Sequence, residues 1–192
     1  MEGVIWELHK KALSLQPYFS FFMKKELLSP NYIFETSWEV CNKVGGIYTV
    51  LSSRAKTLKD NYQDQLVFIG PDLKQPTANV DFKEDAKLFP AWKKAAANFG
   101  VKCRIGRWMV PGKPVAVLVD FEPFFEQKNN IYAQAWELFS VDSIRAYGDY
   151  DEASMFSYAA ARFAEAVVSN CIEQQAKVIY QAHEWMSGLG ML

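Results

Sequence analysis

The fold is decided by residues 32–58, which read YIFETSWEVCNKVGGIYTVLSSRAKTL. The first three of these residues are apolar and follow Pro30-Asn31, a combination that predicts a short β-strand. From Gly46 onward, apolar residues recur at three- and four-residue spacing, which predicts an amphipathic α-helix. The expected apolar face of this helix consists of Ile47, Val50, Leu51, Ala55 and Leu58. Residues 39–48 therefore form a loop from a strand into a helix, and this unit opens an α/β domain.

The rest of the sequence continues the alternation of strands and helices. Further strands are predicted at residues 65–69, 101–105, 115–119 and 177–182, and further helices at residues 84–98, 129–139 and 153–174. Pro90 should bend or split the first of these helices. Pro111-Gly112 predicts a turn, so we expect the strands on either side of it to form a hairpin or adjacent ribbon. The pattern as a whole predicts an α/β fold with a Rossmann-like parallel sheet.

We expect the start of the sequence to lie outside the folded domain, and we expect the domain to be unfinished where the sequence ends. Residues 1–29 are expected to be an N-terminal extension, and residues 30–192 to be the folded part. An open parallel sheet needs long crossovers and helices on both faces. The sequence ends shortly after a new helix is expected to begin at Ser187. We therefore expect an incomplete domain that is the front part of a longer protein.

Composition excludes several classes of protein. Half of the 192 residues are apolar, which is enough for a folded core. The net charge of -1 leaves no electrostatic footprint for nucleic acid or an anionic membrane surface. No apolar run approaches the roughly 18 residues of a membrane span. The three cysteines lack a CxxC pair, which predicts a reduced, cytoplasmic protein, and two histidines argue against structural zinc. We expect no resident metal or cofactor, although carboxylate-bound magnesium stays open.

The loop after the first strand is the first candidate site. Open α/β sheets bind ligands at the carboxyl ends of their strands. Gly45-Gly46 lets the backbone approach a bulky anion, the helix N-terminus offers unpaired N–H groups, and Lys43 adds a positive charge. A glycine pair also occurs simply to make a turn, so both interpretations stay open. The loop matches neither GxGxxG nor GxxxxGK[ST], which argues against a dehydrogenase and an ATPase.

The second candidate site follows the strand at residues 177–182. His183 could donate a hydrogen bond to a sugar hydroxyl and Glu184 could accept one, although a lone histidine is more often a satisfied core residue. Trp185 is most simply core packing. Arg107 could reach a phosphate or be a solvated surface arginine. The acidic residues near the start of the last long helix are expected to cap it rather than form an acid/base pair; they are Asp149, Asp151 and Glu152.

These segments carry a family resemblance. Residues 34–50, FETSWEVCNKVGGIYTV, resemble the opening motif of glycogen synthases of the animal and fungal type. Three later segments agree with that family in order and spacing: VFIGP at residues 67–71, GRW at 106–108 and HEWMSG at 183–188. The resemblance extends from about residue 32 to the end.

The resemblance implies a retaining glucosyltransferase with the two-domain GT-B fold. Such enzymes transfer glucose from a nucleotide diphosphate glucose, usually UDP-glucose with ADP-glucose left open, to the non-reducing end of an α-1,4-glucan, without a metal. Residues 30–192 would be the N-terminal, acceptor-side domain, truncated, and the C-terminal nucleotide-binding domain would be absent. A homo-oligomer of the full-length protein is left open.

Carried onto this sequence, the resemblance assigns roles to individual residues. The loop facing the donor phosphates would be Lys43, Val44, Gly45 and Gly46. His183 would lie at the transferred glucose and stabilise an oxocarbenium-like transition state, with Glu184 supporting that site or the acceptor. Arg107 would make a donor or regulatory contact. The groups that stabilise the departing diphosphate would be missing, so we expect this chain to be inactive alone.

Two other functions compete with this interpretation. One is a non-catalytic glucan- or partner-binding module that retains half of the fold. The other is a NAD-dependent oxidoreductase, which the missing GxGxxG disfavours.

Overall fold

A computed structural model describes residues 29–74 and 79–192, and these contain a six-stranded sheet and four α-helices. In chain order the strands are β1 Tyr32–Thr36, β2 Leu66–Pro71, β3 Phe82–Glu84, β4 Lys102–Trp108, β5 Val115–Asp120 and β6 Val178–Ala182. The helices are α1 Gly46–Tyr62, α2 Pro90–Asn98, α3 Lys128–Phe139 and α4 Tyr150–Cys171. The extension expected over residues 1–29 lies, except for its last residue, outside the described residues.

The sheet is mostly parallel, with strand order β3-β4-β5-β2-β1-β6. β5, β2, β1 and β6 are parallel neighbours, whereas β3 and β4 are added antiparallel beside β5. The predicted Rossmann-like α/β class is confirmed, and so is the antiparallel ribbon on either side of Pro111-Gly112. The parallel strands end together at Thr36, Pro71, Asp120 and Ala182, and we call this border of the sheet the carboxyl edge. The opposite border is the amino edge.

Different helices cover the two faces of the sheet. On one face, Leu51 and Ala55 of α1 belong to a core that includes Phe68 and Trp108. On the other face, α2 and α4 contribute aromatic and aliphatic side chains to a larger core, among them Trp92, Phe156, Phe163 and Val167. The central strand β2 is buried at every position, as expected for a parallel strand covered on both sides.

Alternation along β1 distributes its side chains between the two faces. Ile33 belongs to the core under α1, whereas Phe34 belongs to the core under α4. Glu35, the next residue, therefore faces α1, and it is as buried as its apolar neighbours. A buried carboxylate in this position needs partners on α1 or on a neighbouring strand.

Three sequence-based expectations about helices are corrected. The helix expected over residues 84–98 begins only at Pro90, and Glu84 instead ends the strand β3, which pairs with β4. Proline lacks an N–H and fits the first turn of a helix, so the chain enters α2 at this residue. Val50, expected on the apolar face of α1, is exposed. The helix start expected at Ser187 is replaced by two short 3₁₀ turns, Trp185–Ser187 and Leu189–Met191.

Several chemical features bear on function class. All three cysteines are free, in agreement with the sequence. Burial raises the pKa of the Cys103 thiol to about 11, which makes it a poor nucleophile at neutral pH. Among the helices that the structure describes, none combines the length and apolar character needed to cross a bilayer. Within residues 29–74 and 79–192, no cluster of three or more His, Cys, Asp or Glu side chains could hold a metal ion.

Candidate active site

Three polar side chains meet at the carboxyl edge between β1 and β6. His183 follows β6 directly, and its backbone N–H donates to the carbonyl of Thr36 at 2.9 Å. The ring Nε2 of His183 lies 2.5 Å from Oε2 of Glu35. Nη2 of Arg54, from α1, lies 2.5 Å from the same oxygen and 3.3 Å from Nε2. We call these residues, Glu35, Arg54 and His183, the edge triad.

Burial makes the edge triad a tightly constrained arrangement. The Glu35 side chain is only 2% exposed, whereas Arg54 is 35% exposed and can reach solvent. A carboxylate removed from water is stable only when its charge is paired and its oxygens accept hydrogen bonds. Arg54 supplies the opposite charge and His183 supplies a second contact to the same oxygen. The three elements β1, α1 and β6 are thereby joined through one carboxylate.

The loop after β1 is held by a second buried carboxylate. Oε2 of Glu39 accepts hydrogen bonds from the N–H of Gly45 at 2.7 Å and from the N–H of Tyr48 at 2.9 Å. A Cβ on Gly45 would lie 3.0 Å from Oε1 of Glu39, so the absence of a side chain lets the carboxylate approach. Part of the N–H set expected to hold a phosphate is therefore bonded to Glu39. Lys43 remains exposed, with its ammonium 5.7 Å from the ring centroid of Tyr48.

A groove of about 310 Å³ joins the two sequence-predicted segments. Its walls come from the loop after β1, the start of α4 and the residues after His183, and include Trp38, Val44, Asp149, Glu152, Trp185 and Met186. Trp185 is 59% exposed and stacks on Tyr150, with ring planes 9° apart. The expectation that Trp185 is core packing is therefore wrong. We call this feature the edge groove.

Glu184 has a backbone conformation that side-chain-bearing residues rarely adopt. Its φ is +64° and its ψ is 177°, in a region used almost only by glycine. The turn around it is fixed by Ser187, whose Oγ donates to the carbonyl of His183 at 2.5 Å. Backbone strain of this kind persists where the surrounding structure enforces it, and it is frequent in functional sites. The strained turn sets the direction in which the chain leaves His183.

The acidic residues at the start of α4 do not cap it through their side chains. Asp149 occupies the cap position, but its side chain makes no capping hydrogen bond. Asp151 instead accepts hydrogen bonds from Nζ of Lys128 at 2.5 Å and from the hydroxyl of Tyr132 at 2.8 Å, which ties α3 to α4. Asp149 and Glu152 both line the edge groove. The expectation of capping is therefore corrected, because the Asp151 side chain bonds to α3 and those of Asp149 and Glu152 line the edge groove.

A family model described as glycogen synthase matches residues 35–192. The chain belongs to the glycogen synthase family. It is 32% identical over 162 residues to the glycogen (starch) synthase of Neurospora crassa, an alignment that covers 83% of this chain and 22% of that protein. It is 30% identical over 164 residues to the liver glycogen (starch) synthase of Homo sapiens, covering 83% of this chain and 23% of that protein.

Membership in the glycogen synthase family confirms the resemblance of the opening motif and the three later segments. The chain spans between a fifth and a quarter of the length of the curated glycogen synthases that it matches. The matched region begins at Glu35 and includes every residue of the edge triad and the edge groove.

Arg107 lies away from the edge triad and the edge groove. It is paired in the sheet with Val115, the first residue of β5, and so lies at the amino edge. Its guanidinium donates two hydrogen bonds to Asp64, at 2.6 Å and 2.8 Å, and Lys59 also pairs with that carboxylate. The structure thus brings Val44 and the residues after His183 to one groove, but places Arg107 across the sheet from them.

The sequence interpretation gave no role to Glu35, Glu39 or Arg54. Glu35 and Arg54 nevertheless each left a signal in the sequence. Glu35 directly follows an apolar strand, where a charge needs a reason. Arg54 lies seven residues after Ile47 and three after Leu51, so it shares the apolar face of α1. Each signal concerns one residue, and only the pairing of β1 with β6 shows that they concern the same site.

Proposed function

We propose that this chain forms the acceptor-side wall of a glucosyltransferase cleft, as the N-terminal domain of a GT-B enzyme. The reaction would transfer glucose, with retention, from a nucleotide diphosphate glucose to the non-reducing end of an α-1,4-glucan, and UDP-glucose is the donor that we propose. The observation that carries the proposal is the edge triad. A buried Glu–Arg–His cluster lies at the border of the sheet where α/β proteins bind ligands, in a member of the glycogen synthase family.

His183 is the proposed catalytic residue. Its side chain is 11% exposed, and the carboxylate of Glu35 holds one of its two ring nitrogens. An imidazole fixed in this way could hydrogen-bond a hydroxyl of the transferred glucose and orient the sugar as positive charge develops at its reacting carbon. Such preorganised electrostatic contacts contribute most when the site excludes water. The strained Glu184 would support this site or the acceptor.

The loop after β1 is the proposed contact for the donor phosphates. Lys43 is exposed and offers a positive charge, and Val44 extends into the edge groove. Because Glu39 already bonds the N–H of Gly45, a phosphate would meet the first-turn N–H groups that Glu39 leaves free, beginning at Gly46. The same carboxylate would repel a phosphate that approached too closely. The loop therefore favours a contact with the rim of the diphosphate rather than its full enclosure.

The edge groove is the proposed position of the glucan end. An exposed tryptophan offers a flat apolar face for a sugar ring, and carboxylates accept hydrogen bonds from sugar hydroxyls. Trp185, Asp149 and Glu152 supply these groups within one groove. The free state of all three cysteines supports a cytoplasmic location within this proposal.

The same proposal implies that the 192-residue chain does not transfer glucose alone. A departing diphosphate requires several cationic contacts, and Lys43 is the cation that the described loop offers. The chain also spans only 22% of the matched Neurospora crassa protein. A nucleotide-binding domain or a homo-oligomer would contribute only in a longer protein that contains this chain.

A chimera tests the proposal directly. Residues 35–192 of this chain would replace the matching segment of the Neurospora crassa glycogen (starch) synthase. Transfer of labelled glucose from UDP-glucose to glycogen would then be measured for the chimera and for the 192-residue chain. We expect activity from the chimera and none from the chain. The H183A chimera should lose at least about 100-fold in rate, the range associated with a positioned catalytic group.

The matched control is R107A in the same chimera, because Arg107 lies at the amino edge. We expect this variant to keep activity within a few-fold of the parent. Transfer by the 192-residue chain would refute its inactivity. A folded chimera that binds maltoheptaose in calorimetry but transfers no glucose would favour the glucan-binding module instead.

A further inference from the structure

The hydrogen-bonding capacity of the edge triad decides which nitrogen of His183 carries the proton. Oε2 of Glu35 is 2.5 Å from Nη2 of Arg54 and 2.5 Å from Nε2 of His183. An arginine guanidinium has donors and no acceptor, whereas a carboxylate accepts only. Nε2 must therefore be the donor to Glu35. The 3.3 Å approach of Arg54 to Nε2 places two donors side by side around one acceptor oxygen.

This assignment leaves the other ring nitrogen free. In the neutral imidazole, a proton on Nε2 makes Nδ1 an acceptor. No hydrogen-bonding partner of Nδ1 occurs among the side chains and backbone groups that the structure describes. Nδ1 is therefore the nitrogen of His183 that a ligand can use. A hydroxyl would donate to it, which reverses the direction expected from the sequence, where His183 was the donor.

We propose that Glu35 and Arg54 are positioning residues that lock neutral His183 in the tautomer protonated at Nε2. Its Nδ1 is then presented as an acceptor to a substrate hydroxyl. Glu35 acts on the ring directly, and Arg54 acts by pairing with the buried carboxylate and orienting it. The use of Nδ1 in glucose transfer rests on the proposed function, but the tautomer itself does not. In serine proteases, a carboxylate likewise sets the tautomer of the catalytic histidine.

The methionine variant distinguishes a positioning role from a purely structural one. Arg54 and Nε2 of His183 contact the same oxygen of Glu35, and E35M keeps a side chain of similar length without that acceptor. Nε2 then loses its acceptor, so the ring is no longer held in one tautomer. A residue that merely fills space would leave the tautomer unchanged when methionine takes its place.

Nitrogen-15 NMR of the 192-residue chain with labelled histidine provides the test. The chain has two histidines, so H9Q leaves His183 as the sole imidazole in the spectrum. At a pH where the ring is neutral, long-range proton–nitrogen correlations identify which nitrogen is protonated. We expect a single Nε2-protonated form in H9Q, a mixture of the two tautomers in H9Q/E35M, and no shift in H9Q/R54K, which keeps the charge on α1.

The proposal is overturned if H9Q shows Nδ1 protonated, or a mixture like that of a histidine in an unfolded peptide. It is also overturned if a folded H9Q/E35M chain keeps the single tautomer of H9Q. Circular dichroism establishes folding, and if E35M does not fold, the H9Q spectrum alone decides. Because this measurement needs no glucose transfer, an inactive chimera with the expected tautomer would refute the proposed function and leave the positioning role standing.

Discussion

The two edges of the sheet each carry an arginine paired with a carboxylate, and the two pairs differ in burial, in geometry and in the third partner. At the carboxyl edge, Arg54 pairs with Glu35, which is 2% exposed and also contacts His183. At the amino edge, Arg107 pairs with Asp64, which is 38% exposed and also contacts Lys59. The geometry of the second pair is bidentate and nearly ideal. By hydrogen bonds alone, Arg107 would be judged the better-held residue.

The difference shows that burial and the third partner, rather than the quality of the ion pair, identify the candidate site. Asp64 lies between two cations near solvent, so its charge is satisfied and both of its oxygens accept hydrogen bonds from those cations. Glu35 shares one oxygen between a cation and a histidine whose other nitrogen lacks a partner in the described structure. The amino-edge pair holds β4 to the segment before β2, whereas the carboxyl-edge pair holds a group that can act on a ligand.

The largest expected effect on stability comes from removing Arg54, and removal of Arg107 is the comparison. In R54A, the carboxylate of Glu35 stays buried without its cation, and breaking a buried pair in this way costs about 3 kcal/mol. For a domain of this size, that lowers the thermal midpoint by roughly 6–12 °C. R107A leaves Asp64 partly exposed and still paired with Lys59, so its cost should be at most about 1 kcal/mol. Thermal unfolding of the two variants in parallel measures the difference.

Equal losses in R54A and R107A would contradict this comparison, because burial would then not separate the pairs. R54K is the matched control at the carboxyl edge. It keeps the positive charge and should recover part of the loss.

The sequence predicted the sheet better than it predicted the site, for a physical reason. Apolar periodicity reports on burial one segment at a time, and this was enough to place β1, α1 and the β4–β5 ribbon. The edge triad joins residues 35, 54 and 183, and it depends on the parallel pairing of β1 with β6. No local pattern encodes that pairing. The sequence could therefore point to His183 without naming the carboxylate that holds it.

The glycine pair shows a similar limit. The sequence placed Gly45-Gly46 correctly before a helix, and it treated the two glycines as equivalent. In the structure, a Cβ on Gly45 would meet Glu39, whereas a Cβ on Gly46 would meet nothing within 4 Å. The close approach comes from the path of residues 39–44, which composition does not specify. Trp185 was misjudged likewise, because large aromatic residues are usually buried.

The second prediction uses this asymmetry at the carboxyl edge. In G45A, the new methyl group crowds the buried carboxylate of Glu39 and weakens its hydrogen bonds to the start of α1. We expect a cost of about 1–2 kcal/mol, typical of overpacking and of a lost helix cap. G46A is the matched control, and it should be neutral or stabilise by ~0.5 kcal/mol because alanine restricts the unfolded chain. Denaturant unfolding distinguishes the two, and equal effects would show that Glu39 does not hold the loop.

The third prediction concerns the strained turn after His183. E184G should raise the free energy of unfolding by about 1 kcal/mol, since glycine adopts the observed φ of +64° without steric cost. E184A removes the same carboxylate but keeps the strain, so it should give no such gain. A gain in both variants would mean that the side chain, and not the backbone, is unfavourable. The amino-edge pair shows no such backbone strain, because neither Arg107 nor Asp64 is among the described non-glycine residues with positive φ.

The smallest effect is expected at the amino edge, and it depends on pH. Hydrogen bonds from the Arg107 guanidinium hold the pKa of Asp64 well below its usual range, with Lys59 acting in the same direction. The unfolded chain binds a proton at Asp64 near the ordinary pKa of ~3.9, whereas the folded chain does not. The pair therefore stabilises the fold above that pH, and its contribution is lost as the pH falls towards the lowered folded value.

The D64N variant isolates this contribution. Because the pair is partly solvent-exposed, the stability gap between wild type and D64N should be at most about 1 kcal/mol at neutral pH. The gap should narrow below about pH 4, since wild type alone loses the charge-dependent part in acid. Urea unfolding of both proteins from pH 7 to pH 3 measures it. A gap that widened in acid would reverse the sign of the linkage, and a gap of several kcal/mol would make the amino edge as important to stability as the buried edge triad.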